Sequence, residues 1–231
     1  MNTIQTITIW AIPVLFAITL HEVAHGWVAK KFGDTTAQSL GRLSLNPLKH
    51  IDPVGTILVP IVLIVVTGYA FGWAKPVPVN FNQLRNPKKD MVWVAAAGPF
   101  ANVLMTMLWS IILVTAISSA GSENKYAEFF VLMSMAGIFI NLVLMVLNLL
   151  PIPPLDGGRV LSGLVPNNIS ALLSKIEPYG LFILLGLMFM GLLNKLVFTP
   201  SILILFFIMS FLGILPQEYI PYLEKLLGQA S

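Results

Sequence analysis

The stretch Val54-Gly55-Thr56-Ile57-Leu58-Val59-Pro60-Ile61-Val62-Leu63-Ile64-Val65-Val66-Thr67-Gly68-Tyr69-Ala70-Phe71 decides the topology of this chain. It is apolar enough to enter a membrane, yet Gly55 opens it, Pro60 interrupts it, and the middle from Ile57 to Val66 is mostly β-branched. Those features suit a strand-like or broken loop that dips into the bilayer and returns better than they suit one straight helix. Lys30, Lys31, Arg42 and Lys49 precede it, and Lys75, Arg85, Lys88 and Lys89 follow it. Eight of the 13 basic residues therefore flank this one segment, four on each side. The positive-inside rule puts both flanks in the cytoplasm, which a single crossing does not allow. We therefore expect a re-entrant segment at about 54–71, with a sixth full span as the alternative.

The rest of the composition agrees with a membrane setting. Of 231 residues, 57% are hydrophobic and 10% charged, against about a quarter charged in an ordinary soluble domain. That excludes a typical soluble enzyme, a disordered chain and a nucleic-acid binder. Besides 54–71, apolar segments run at 4–29, 91–117, 129–150, 180–198 and 201–215. Five spans and one re-entrant loop predict an outside N-terminus, an outside loop at 120–128, an inside stretch at 151–178 and an inside C-terminus. Residues Met1 to Ile7 contain no basic side chain, so the first segment reads as retained rather than as a cleaved signal. Trp10, Trp73 and Trp93 are candidates for interface anchors, and the methionines and phenylalanines of the later segments for lipid-facing or packing material. The fold class expected is an all-α polytopic membrane protein forming a single membrane-embedded domain over 1–231.

The first span carries the chemistry. It contains His21-Glu22-Val23-Ala24-His25. Residues four apart on a helix share a face, so both imidazoles can reach one ion. The Glu beside the first His can then act as a general base toward a water. Ionisable groups are costly within a hydrophobic span and are usually functional there; the bland alternative is a polar patch satisfied between helices. A catalytic zinc needs a third protein ligand. With no cysteine in the chain, the best candidate is Asp156, in Asn148-Leu149-Leu150-Pro151-Ile152-Pro153-Pro154-Leu155-Asp156-Gly157-Gly158. Taken alone, Asp before Gly reads as a turn or cap. Topology favours the ligand: His21 lies roughly 26 Å along its helix, near the far side of a ~30 Å core, and Asp156 emerges on that same side if 54–71 is re-entrant. The charge pattern and the metal geometry thus ask independently for the same loop. His50 and Asp52 look ligand-like but read more simply as an interfacial pair or a turn before Pro53.

With these residues in view, the chain resembles the site-2 proteases, intramembrane zinc metalloproteases, in their minimal bacterial form without a PDZ or CBS domain. The resemblance rests on His21-Glu22-Val23-Ala24-His25, on Gly98-Pro99-Phe100-Ala101-Asn102, and on Asn148 to Gly157. The stretches Asn46 to Gly55 and Phe71 to Pro78 add to it. The matches extend from about residue 10 to 165. The resemblance implies that His21, His25 and Asp156 bind one zinc ion, that Glu22 activates water, and that Asn102 and Asn148 handle substrate. It also implies a three-helix core within 4–165, a membrane-associated β-like loop at 54–71 able to pair with an extended substrate, and two additional transmembrane segments within 180–215. The function implied is hydrolysis of peptide bonds in or near transmembrane segments of other proteins, with the bilayer as partner and no nucleic acid. The location implied is the cell membrane, with the site near its cytoplasmic side. The rival class is a metal-ion transporter or sensor using the same three residues. A pathway through the bilayer needs polar residues along it, and 180–215 offers only Asn194 and Lys195 as strongly polar interior candidates.

Overall fold

The computed structural model describes residues 3–67, 72–119 and 125–227. Among these residues all the regular secondary structure is helical and there is no strand. The helices are α1 (Thr3–Lys31), α2 (Thr36–Ser39), α3 (Val59–Thr67), α4 (Pro87–Ser119), α5 (Lys125–Asn148), α6 (Asp156–Leu164), α7 (Asn167–Ile176), α8 (Gly180–Phe189), α9 (Thr199–Phe211) and α10 (Pro216–Leu227). Five helical stretches are long and apolar enough to cross a membrane: Ile4–Lys31, Pro87–Ser119, Tyr126–Asn148, Asn167–Phe189 and Asn194–Phe211.

Helices α1, α4 and α5 form the core. Ile9 of α1 shares one buried cluster with Met105, Trp109 and Leu113 of α4, Met135, Ile138 and Leu142 of α5, and Leu205 and Met209 of α9. Lipid offers no hydrophobic drive for helix association, so close approach of backbones does the work. Gly137 supplies it: a Cβ there would come within 2.5 Å of Trp109 Cγ, so the indole lies flat on the α5 backbone. Trp10 stands edge-on to Phe139, with centroids 6.3 Å apart, and so packs between α1 and α5. Trp93 stays largely exposed.

The segment expected to be strand-like is helical instead. A π-helical turn at Pro53–Leu58 runs directly into α3. The β preference of Ile and Val reflects packing on a pleated sheet. With no strand alongside, a helix is the conformation that satisfies the backbone within the segment. Asp52 caps the turn, accepting the amides of Val54 and Gly55 at 2.9 and 2.8 Å. Beyond α3 the chain comes back to its starting point: the Trp73 amide donates to Gly55 O at 3.0 Å and the Lys75 amide to His50 O at 2.9 Å. The helical segment therefore leaves and re-enters one place. Residues 68–71 and 120–124, which include the end of this segment and most of the loop expected outside, fall beyond the described residues.

The C-terminal half also divides elsewhere than expected. The break between its two long helical stretches falls at Gly191, with φ +70, and not before Ser201. Pro200 lies inside the second stretch, directly after the π-helical turn Asn194–Phe198, where the Thr199 hydroxyl donates to Asn194 O at 2.9 Å. The stretch 151–178, expected as a polar loop, is largely α6 and α7.

Candidate metal centre

Three side chains from two distant parts of the chain converge. His21 and His25 lie one turn apart on α1, and their Nε2 atoms are 3.1 Å from each other. Asp156 Oδ2 lies 3.2 Å from the first and 3.3 Å from the second. The turn after α5 brings the carboxylate there. Cβ atoms on Gly157 or Gly158 would strike the backbone of Leu149, Leu150 and Pro153, so only glycine lets α6 start this close under the end of α5.

The hydrogen bonds around the triangle decide what it can hold. His25 Nδ1 is 2.7 Å from Val94 O, a carbonyl, so that nitrogen donates and Nε2 keeps its lone pair. His21 Nδ1 is 2.7 Å from Asn102 Oδ1, while Asn102 Nδ2 donates to Asn141 Oδ1 at 2.9 Å. Asn141 Nδ2 in turn donates to Gly137 O at 2.8 Å, which orients both amides. His21 Nε2 is therefore a bare lone pair too. Two lone pairs and a carboxylate oxygen face one another, and buried Asp156 Oδ2 receives no hydrogen bond. Three acceptors at van der Waals contact repel unless a cation sits among them. Tetrahedral zinc ligands about 2.0–2.1 Å from the ion stand about 3.3–3.4 Å apart, close to the observed triangle. The donor set fits zinc, and the outer bonds to Asn102 and Val94 are those that orient metal-binding imidazoles.

Gly98 forms the wall of the centre. A Cβ at that position would lie 2.6 Å from His21 Nε2 and closer still to His25 Nε2. Gly98→Ala should therefore push the imidazoles apart and lower zinc occupancy while the helices stay folded, checked by metal content and circular dichroism on one preparation. Wild-type zinc content in that variant would mean that the wall yields.

The other sequence candidates separate. Glu22 Oε2 accepts the amide of Val77 at 2.7 Å. Asn102 is completely buried behind His21, with its oxygen and nitrogen both committed inside the protein. Asn148, at the end of α5, is half-buried and its amide donates back to Leu144 O at 3.0 Å. His50 is buried away from the triangle and bonds Ser44 O through Nε2 at 2.8 Å. Sequence reasoning overlooked Asn141 and the Val94 carbonyl. Asn141 was visible as a polar residue inside an apolar run; a backbone carbonyl carries no signature at all.

The chain matches the profile of peptidase family M50 over residues 9–192. It is 42% identical to YwhC of Bacillus subtilis (strain 168) over 193 residues, covering 83% of this chain and 84% of that protein. It is 30% identical to Rip2 of Mycolicibacterium smegmatis over 182 residues, covering 78% of this chain and 66% of that protein. Both relatives carry the words zinc metalloprotease in their names. No solved structure matches significantly.

Proposed function

Since the chain belongs to peptidase family M50 and is an intramembrane zinc metalloprotease, we propose that His21, His25 and Asp156 hold its zinc ion, one per chain, and that Glu22 is the general base. The observation that carries this assignment is the triangle of two imidazole Nε2 atoms and one carboxylate oxygen, 3.1–3.3 Å from one another, with each Nδ1 turned away to an acceptor. Zinc bound there supplies a Lewis acid that polarises the scissile carbonyl and makes water a stronger nucleophile near neutral pH. Glu22 takes the proton from the attacking water and delivers it to the leaving amine, so the side chain ends the cycle as it began. Asn102, having no exposed atom, acts on His21 rather than on substrate, while half-buried Asn148 at the end of α5 remains the residue to meet substrate.

The substrate is a transmembrane segment of another protein, cut within or at the edge of the bilayer. A helical substrate hides its scissile carbonyl in a backbone hydrogen bond and must unwind locally before attack. The multi-pass chain lies in the cell membrane as one embedded domain with its core in 4–165, and the site faces the cytoplasmic side. The even split of eight basic residues about 54–71, and the return of Trp73 and Lys75 to Gly55 and His50, support both flanks lying on that side. The ion-transport reading is not favoured by the family match.

The test is cleavage of a small panel of single-span substrates by the purified protein in liposomes, with zinc quantified before and after chelation. Product should appear with one zinc per chain, vanish on chelation and return when zinc is restored. A zinc-loaded protein that carries zinc across the vesicle and leaves every substrate intact would overturn the protease assignment.

A further inference from the structure

The connection 72–80, which precedes α4, has no regular secondary structure, yet it is tied down along its length. The Trp73 and Lys75 amides hold it to Gly55 and His50, and the Asn80 amide donates to buried Asp34 at 2.7 Å. Between these ties the Arg42 guanidinium grips the carbonyls of Lys75 and Pro76, at 2.9 and 3.2 Å. At the centre of the strap lies Pro76-Val77-Pro78. Proline has no amide hydrogen, and the residue before proline is held extended. Of these three residues only Val77 owns a donor, and that donor goes to Glu22 Oε2 at 2.7 Å. A second contact docks the strap on the same face of α1. Gly26 lies one turn beyond Glu22, and a Cβ there would come 2.7 Å from Val77 Cγ1.

We infer that the strap is a positioning device for the general base: the Val77 amide, held in place by Arg42 and the flanking prolines, fixes the Glu22 carboxylate through Oε2 and leaves Oε1 to take the proton. The inference rests on Glu22 being the base. A glutamate side chain otherwise samples many rotamers, and a base must be held within hydrogen-bond reach of the proton it removes. The prolines contribute twice. They set the backbone before the contact forms, and they leave no second amide to compete for the carboxylate or to stand unpaired at the membrane edge. Val77 is thus a positioning residue that acts through its backbone, which is why its own side chain gives no hint of the role.

The sequence makes the contact measurable without activity, because Val77 carries the single exchangeable amide of 76–78. Hydrogen–deuterium exchange of peptides covering that stretch in the zinc-loaded protein should show the amide protected in the wild type and unprotected in Glu22→Ala and Arg42→Ala. Equal exchange in wild type and Glu22→Ala overturns the proposal. The catalytic half is tested by replacing Val77 with its α-hydroxy acid, which swaps the N–H for an ester oxygen and keeps the side chain. Losing a hydrogen bond to a charged group should lower kcat by about 10–100-fold, with KM changed less than about threefold and zinc content unchanged. A wild-type kcat, or a loss of kcat that merely follows loss of zinc, overturns the positioning role. Glu22→Gln measured alongside separates the two claims. If it turns over normally, the base assignment falls; if it is inactive while the ester variant is fully active, only the strap proposal falls.

Discussion

Glu22→Gln should retain one zinc per chain and lose peptide-bond hydrolysis by about 10²–10⁴-fold, the range that a positioned general base contributes. The reason lies in what the substitution leaves alone. Glu22 supplies none of the three atoms of the metal triangle, which come from His21, His25 and Asp156. Glutamine has the same shape, and its side-chain oxygen can still accept the Val77 amide that meets Glu22 Oε2 at 2.7 Å. Packing, strap and metal site therefore persist, and only the capacity to take a proton disappears. Zinc quantification and single-turnover cleavage on one preparation check this. Activity within tenfold of the wild type at equal zinc loading would remove Glu22 from the chemistry.

Asp156→Ala should come through purification with little or no zinc. It removes one of three converging donors and the only anion among them, and it leaves His21 and His25 on their outer partners Asn102 and Val94. Loss of an outer partner alone typically costs about 10–100-fold in metal affinity, so loss of a ligand should exceed that. The fold should survive. Asp156 opens α6; alanine is a good helix former, and a lost acidic residue in the first turn costs about 0.3–1 kcal/mol. Metal analysis after dialysis, with helicity measured in parallel, reads both halves of the expectation. Wild-type zinc stoichiometry in Asp156→Ala would exclude the carboxylate as a ligand.

These two results would test the part of the protein that its sequence exposes most directly. Two histidines four residues apart on an apolar helix share a face wherever the helix goes, so the meeting of the two imidazoles was readable from spacing alone. The basic residues on both sides of 54–71 likewise forced the segment to return before any contact was known. Its conformation was not readable. β-Branched residues favour strands only when a neighbouring strand offers pairing, and here the backbone closes on itself in a helix at Pro53–Leu58 and Val59–Thr67. The helix break at Gly191 escaped for a related reason. A proline need not end a helix: Pro200 is accommodated within the stretch, directly after the π-helical turn Asn194–Phe198.

The amino-acid order by itself determined the membrane setting, the apolar helices, the His21–His25 face with Glu22 beside it, and the glycines that a tight turn before α6 requires, because each depends on residues within a few positions of one another. Only the tertiary structure decided which acceptors hold His21 and His25, that Asn102 is sealed behind His21, that Gly98 walls the triangle, and that Glu22 Oε2 accepts the amide of Val77. Those contacts join residues from 55 to 81 positions apart. Two of them end on backbone groups, Val94 O and Val77 N, which every sequence contains and none distinguishes.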